Sequence, residues 1–341
     1  MDFTTCLREQ LRLHPAIEPR DVIKLCYQAA RGAEHLLVDT ARARTYFDQE
    51  YAATTEDASL PLFEPISENV SRVNLAAWKA SGLPAEWLFR MFLHTASVPM
   101  GGEALLTRCI AEASSIVRDM PGWDDALAAW QSEGMPAVHH SSAYRTAEKP
   151  AYRIVNRRFA CILPILQHLH QAEGIRVIAI DGRAASGKTT RAALLSTVLE
   201  APVIHMDDFF LPPALRTPER LSQPGGNVDY ARFAEEVVPH LAVDAAFTYR
   251  VFDCSVMDFG GERQIPASPL RIVEGSYAHH PDLGDYADLR VFSTVDEVEQ
   301  MRRILDRNGE KMAEMFRNRW IPMEETYFAH FGIREKADIL L

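Results

Sequence analysis

Hydrophobic and polar positions fall into two regimes along the chain. Over residues 1–133 the apolar positions recur at helical spacing, as in the series Val22, Ile23, Cys26, Ala30, Ala33 and Leu37. Helices are expected over 73–80 and 85–96, separated by Gly82-Leu83-Pro84, then over 103–117, stopped by Pro121-Gly122, and over 124–132. The acidic, proline-containing stretch 52–65 reads as a surface loop, and 134–150 is rich in turn formers and polar residues. A helix over 152–171, kinked at Pro164, is expected to follow.

From residue 174 onward the period changes. Short apolar runs at 175–180, 202–207, 270–275, 289–293 and 337–341 read as strands. Helical segments are expected between them, at 188 onward, 231–241, 295–308 and 310–318. Strands that alternate with helices imply a parallel, doubly wound α/β sheet. The chain thus divides into a mainly α-helical N-terminal domain, 1–150 with its linker, and an α/β domain, 151–341.

The first strand of the second domain carries the strongest chemical signal. It runs into Gly182-Arg-Ala-Ala-Ser-Gly-Lys-Thr-Thr190 and then into the helix formers Arg191-Ala-Ala-Leu-Leu. Strand, glycine loop and helix in that order are the setting a phosphate-binding P-loop needs. Glycines at 182 and 187 let the chain curl with its N–H groups inward. The backbone of Gly182, Ala184, Ala185, Ser186, Gly187, Lys188, Thr189 and Thr190 is the expected nucleotide cradle, helped by the positive end of the helix. Lys188 supplies a mobile charge for the outer phosphates, and the Thr189 hydroxyl a ligand for Mg²⁺.

Ligands on such sheets sit at the carboxyl ends of the strands, so polar residues there matter most. Asp207 and Asp208 follow the second strand, and one of them suits a base for an acceptor hydroxyl, although a turn or helix cap uses the same residues. Glu274 ends the strand Arg271-Ile-Val-Glu and suits the second shell of Mg²⁺ beside Thr189. Arg302, Arg303 and Arg307, with Lys311 beyond, lie on a downstream helix and could close over transferring phosphates or form a solvated basic face. Asp229 stands where an acceptor's hydroxyls could be read, or as a helix N-cap. His139-His140 lacks neighbouring acid or Cys partners and reads as polar loop rather than as a metal site.

Composition narrows the partners. The hydrophobic fraction of 47% and charged fraction of 24% over 341 residues are those of a soluble globular chain. A formal charge of −11 argues against a nucleic-acid backbone or an anionic membrane as main partner. Five scattered cysteines, Cys6, Cys26, Cys109, Cys161 and Cys254, suggest neither a zinc site nor a disulfide framework and fit a reducing cytoplasm. Neither a signal peptide nor a membrane-spanning run is expected, and self-association as a homo-oligomer stays open.

Taken together, the P-loop, His205-Met-Asp-Asp-Phe-Phe-Leu-Pro212, Gly225-Gly-Asn-Val-Asp-Tyr230, Tyr249-x-x-Phe-Asp253, Val273-Glu-Gly-Ser-Tyr277 and Arg302-Arg303-x3-Arg307 resemble the uridine kinase / phosphoribulokinase group of P-loop kinases, above all its bacterial uridine kinase-like members. The resemblance covers 174–341. It implies a five-stranded parallel core and transfer of the γ-phosphoryl group of ATP to a small-molecule hydroxyl. By position it implies Asp207 as the acid acting on the acceptor hydroxyl and Lys188 as the phosphate residue. It also implies Thr189 and Glu274 at the metal, and Arg303 and Arg307 in the lid. Asp208, Asp229, Tyr249 and Asp253 would bind the acceptor, most simply a nucleoside. Residues 254–266 and 314–328 depart from true uridine kinases, which leaves pantothenate-, glycerate- and sugar-phosphate-like acceptors open. A nucleotide-dependent switch, with the helical half recognising a partner, is the alternative of another class.

Overall fold

A computed structural model describes residues 2–33, 39–99 and 101–341. Leu37, in the predicted apolar series, lies outside the described residues. Backbone packing divides the chain into two units, Met1–Leu163 and Pro164–Leu341.

The first unit is built on helices α1 (Phe3–Leu13), α2 (Pro19–Arg31), α3 (Thr40–Ala53), α4 (Leu75–Ala80), α5 (Ala85–Ser97), α6 (Gly102–Ile116), α7 (Trp123–Ser132) and α8 (Ser142–Glu148). The helices expected at 85–96, 103–117 and 124–132 are present within a residue or so. A small antiparallel sheet was not foreseen. It has the order β1 (Phe63–Pro65), β2 (Val70–Asn74), β3 (Tyr152–Asn156).

That sheet corrects three expectations. The predicted helix from 73 begins only at Leu75, because Val70–Asn74 pairs as strand and Asn74 caps α4, accepting from Ala76 N at 2.9 Å. The predicted loop 52–65 ends in β1. The predicted helix over 152–171 opens as strand, with Tyr152 opposite Asn74 and Asn156 opposite Val70, and becomes α-helical (α9, Leu163–Gln171) only at Leu163. Pro164 therefore sits in a first helical turn, where its missing N–H costs nothing, and does not kink a longer helix. Pairing with β2 keeps β3 within the first unit, which by backbone packing runs to Leu163.

The segment 134–150 is also less loop-like than it reads. His140 is buried, with Nδ1 2.7 Å from Asp21 Oδ1 and Nε2 2.6 Å from the Tyr152 hydroxyl. Ser141 N donates to the same carboxylate at 3.0 Å. These bonds tie the segment to α2 and β3 inside the first unit.

The second unit is the expected parallel sheet. Its strands are β4 (Val177–Gly182), β5 (Val203–His205), β8 (Arg271–Glu274), β9 (Leu289–Ser293) and β10 (Ile339–Leu340), in the order β10-β9-β4-β8-β5. An antiparallel hairpin of β6 (Phe247–Asp253) and β7 (Asp258–Ile265), absent from the sequence reading, is separate from it. Helix α10 (Lys188–Leu199) follows the first sheet strand. The short α11 (Pro218–Leu221), α12 (Tyr230–Glu236) and α13 (Val238–Leu241) come next, the last two breaking the single helix expected over 231–241. Helices α14 (Glu297–Met315) and α15 (Ile321–Phe331) lead into the final strand.

β4 lies at the centre of the sheet and is buried at all its positions, as its apolar run from Val177 to Ile180 requires. A core of Ile204, Phe209, Phe233, Tyr249, Val273, Phe292 and Tyr327 packs around it and under the hairpin. Lateral register sets Ile180 beside Glu274, and Glu274 beside His205. The ends of β4, β8 and β5 thus form one rim. Helix α14 breaks where the sequence suggests, at Gly309 with φ 75° and ψ 172°. Lys311 therefore leaves the face that Arg303 and Arg307 share. No helix among the described residues is long and apolar enough to cross a membrane.

Candidate active site

The loop after β4 has the conformation its glycines allow. Gly182 takes φ 134°, and a Cβ there would stand 1.9 Å from the Ser293 carbonyl oxygen, so no side chain fits. Gly187 (φ 96°) and, without glycine's freedom, Ala185 (φ 57°) complete the curl. Lys188 starts α10 and folds back over the loop, donating to the carbonyls of Gly182 at 2.7 Å and Arg183 at 2.9 Å. Its ammonium charge has no carboxylate within ion-pair distance among the described residues. The Ser186 hydroxyl is buried without a protein partner, and Thr190 is exposed on the first helical turn.

The neighbouring strand ends supply acids. The Thr189 hydroxyl lies 3.3 and 3.2 Å from the two Glu274 oxygens, and His205 Nδ1 lies 2.6 Å from Glu274 Oε1. That hydrogen bond raises the His205 pKa above its ordinary value. Asp207, on a short 3₁₀ turn (Met206–Phe209), is exposed to solvent yet closely surrounded by protein atoms. This crowding raises its pKa above the ordinary carboxylate value. Glu274 adds to the rise, while Lys188 and His205 oppose it.

Asp208 turns the other way. It is buried, accepts from the Tyr249 hydroxyl at 2.8 Å and pairs with Arg263 Nε at 3.0 Å. The buried Arg232 also bonds the Asp208 carbonyl. Tyr249 is 1% exposed, so two expected acceptor contacts, Asp208 and Tyr249, are spent on pinning the hairpin to the turn that carries Asp207. Asp229 is an N-cap, accepting from Arg232 N at 3.1 Å. Asp253 sits at the hairpin tip and accepts from Ser255 N at 2.7 Å. The expected acceptor set is therefore not brought together. Strand pairing points Tyr249 inward, and local turn bonds occupy the other two acids.

The arginines expected in a lid divide as well. Arg303 reaches the loop, donating to the Ala185 carbonyl at 3.1 Å, and also pairs with Glu299 at 2.7 Å. Among the described residues Arg307 bonds only its neighbour Asn308, at 2.8 Å, and stays exposed, while Arg302 is held by Glu299 and Asp306.

Three contributors were not read from the sequence. Glu324 of α15, buried, accepts from Ala184 N at 2.9 Å and from the Ser276 hydroxyl at 2.6 Å. Gln300 of α14 donates to the Ala184 carbonyl at 3.0 Å, so both edges of one loop residue are held by helices distant in sequence. Burial raises the Glu324 pKa, and Lys188 opposes the rise. Asp181, fully buried, gathers the N–H groups of Gly182, Tyr277 and His279 and the Tyr327 hydroxyl, at 2.6 to 3.1 Å. Its one sequence signal is a carboxylate inside an otherwise apolar strand.

Among the described residues no group of three or more His, Cys, Asp or Glu side chains could hold a metal by itself. Thr189 and Glu274 offer only hard oxygen donors, which suit a magnesium ion that keeps most of its shell as water and phosphate.

No family model matches the chain, and no curated protein matches it. Solved structures do. One is described as a possible uridine kinase from Bacillus stearothermophilus, 20% identical, with TM-score 0.42, covering 54% of this chain and 98% of that one. Another is D-glycerate 3-kinase from Cryptococcus neoformans var. grubii, 15% identical, with TM-score 0.37, covering 50% of this chain and 87% of that one.

Proposed function

We propose that the second unit is an ATP-dependent kinase that transfers the γ-phosphoryl group to a hydroxyl of a small molecule. The observation that carries this reading is the rim itself. A phosphate-type loop with a lysine facing inward, a Thr189–Glu274 oxygen pair and a solvent-facing Asp207 stand on three adjacent strand ends.

Lys188 would exchange its two carbonyl partners for the outer phosphate oxygens, and the loop amides would hold the rest of the triphosphate. Thr189 and Glu274 would hold Mg²⁺, which supplies charge neutralisation at the phosphates. Asp207 would accept the acceptor's hydroxyl proton while that oxygen bonds the γ-phosphorus. The bond from the γ-phosphorus to the bridging oxygen breaks, and its electron pair leaves with ADP. Arg303 would add positive charge beside the transferring group, and Arg307 would do so only by moving inward. A nucleoside remains one candidate acceptor, on the resemblance given above.

The test is acceptor-dependent ADP release. Asp207→Asn should lower kcat by about 10²- to 10⁴-fold while MgATP still binds. Near-normal turnover in that variant would remove Asp207 from the role of base.

A further inference from the structure

The acids and bases at the mouth leave an imbalance once their partners are matched. Glu274 is shared by Thr189 and His205, and Asp208 by Tyr249 and Arg263. Asp229 and Asp253 are bound to backbone N–H groups. On the basic side, Arg250 pairs with Glu236, and Arg220 bonds Gln223 and the Val228 carbonyl. Arg216 is different. Its Nε donates to the Leu211 carbonyl at 2.6 Å, and its guanidinium lies 5.7 Å from the Phe252 ring centre. Among the described residues no carboxylate pairs with it, although it is half-buried.

A guanidinium that no carboxylate occupies keeps its fork available for an anionic ligand. Its place favours a ligand at this mouth. Arg216 lies over the Phe252 ring of β6, and β6 packs against the 3₁₀ turn that carries Asp207, where Tyr249 bonds Asp208. Arg263 stands on the hairpin strand opposite Tyr249 and pairs with Asp208 of the same turn, with its side chain 42% exposed. Two guanidinium groups thus belong to the elements that meet at the turn presenting Asp207. Their planar forks suit carboxylate or phosphate oxygens.

We infer that the acceptor is itself an anion: an alcohol that also carries a carboxylate or phosphate group, held by Arg216 with help from Arg263 while its free hydroxyl meets Asp207. This rests on the kinase reading and narrows it, since a neutral nucleoside would leave Arg216 unpaired.

The test is ADP release by the full-length protein with MgATP and four acceptor groups: hydroxy acids, sugar phosphates, neutral nucleosides and neutral sugars or polyols. Turnover is expected with a member of the first or second group, and which of the two responds identifies the anion. With that acceptor, Arg216→Gln should raise KM at least tenfold and leave the KM for MgATP within twofold. Arg216→Lys should recover part of the loss, and Arg263→Gln should raise the acceptor KM less. A thermal melt of each variant checks folding. Preference for a neutral acceptor, or an unchanged acceptor KM in folded Arg216→Gln, overturns the inference and leaves the kinase reading standing. A MgATP effect equal to the acceptor effect also overturns it, assigning Arg216 to the nucleotide. Absence of acceptor-dependent turnover across all four groups overturns the kinase reading and the inference with it.

Discussion

Asp207 and Asp208 are neighbours with opposite surroundings. The strand end turns Asp208 into the protein, where Tyr249 and Arg263 occupy it, and leaves Asp207 facing the mouth. A sequence shows two equivalent acids here, because the choice depends on the hairpin that arrives some forty residues later. The raised Asp207 pKa has a kinetic consequence. As a base it must be ionised, so kcat should fall as pH drops through a value above the ordinary carboxylate range. The acidic limb of the pH–rate profile should move in Glu274→Gln, which removes a charge that raises the Asp207 pKa. A limb at the ordinary carboxylate position would contradict the assignment. The loop residues were legible because each does its work through local backbone geometry. Tyr249 was not, since its inward direction is fixed by cross-strand pairing.

At the scale of elements, the loop after β4 is shaped by glycine and fastened by side chains from elsewhere. Gly182→Ala would force a Cβ against the Ser293 carbonyl at a backbone angle alanine resists, so a loss of about 3 kcal/mol or more is expected in denaturant unfolding. Unchanged stability would mean that β9 can move away. Glu324→Ala leaves the Ala184 N–H buried without its acceptor, at a cost of about 1–3 kcal/mol. It should also weaken MgATP binding, whereas Glu324→Gln, which can still accept, should restore much of both. Equal behaviour of the two variants would show that the carboxyl oxygen does not hold the loop. The clamp was invisible beforehand because Gln300 and Glu324 sit on helices whose positions only the folded chain reveals. The missed sheet of the first unit has a comparable cause. The buried, polar Arg72 interrupts the apolar alternation of Val70–Asn74, because Gln10 and Gln28 satisfy it from α1 and α2.

Across the whole molecule, the two units carry separate cores and separate polar centres. In the first unit, burial holds His140 neutral, with its pKa lowered from 6.5 to about 4 despite the Asp21 carboxylate. Lys24 and Arg72 also face it and act in the same direction as burial. A histidine whose pKa is lowered by folding binds its proton more readily when unfolded. Its contribution to stability is therefore complete above about pH 6.5 and is lost as pH falls toward about 4, on the order of 3 kcal/mol in total. Asp21, whose pKa is lowered in the folded unit, adds loss in the same direction at still lower pH. Melting followed from pH 7 to pH 4 should show this slope, and His140→Gln should flatten it. An identical slope in the variant would place the acid sensitivity elsewhere, for example at His279 or His280 of the second unit, whose pKa values burial also lowers. The α/β half was readable because its inner strands β4, β8 and β9 are buried on both faces and announce themselves. The first half spends many polar residues inside, and its pattern is correspondingly quieter.

The lateral pairing of Ile180, Glu274 and His205 means that the chemistry is spelled by alignment as much as by residue type. Were β8 to slide by a single step, every side chain on it would exchange faces. The carboxylate beside Thr189 would swing beneath the sheet, and Val273 would stand in its stead. An insertion of one residue ahead of Arg271 would thus take the proposed site apart without altering any of the groups that compose it.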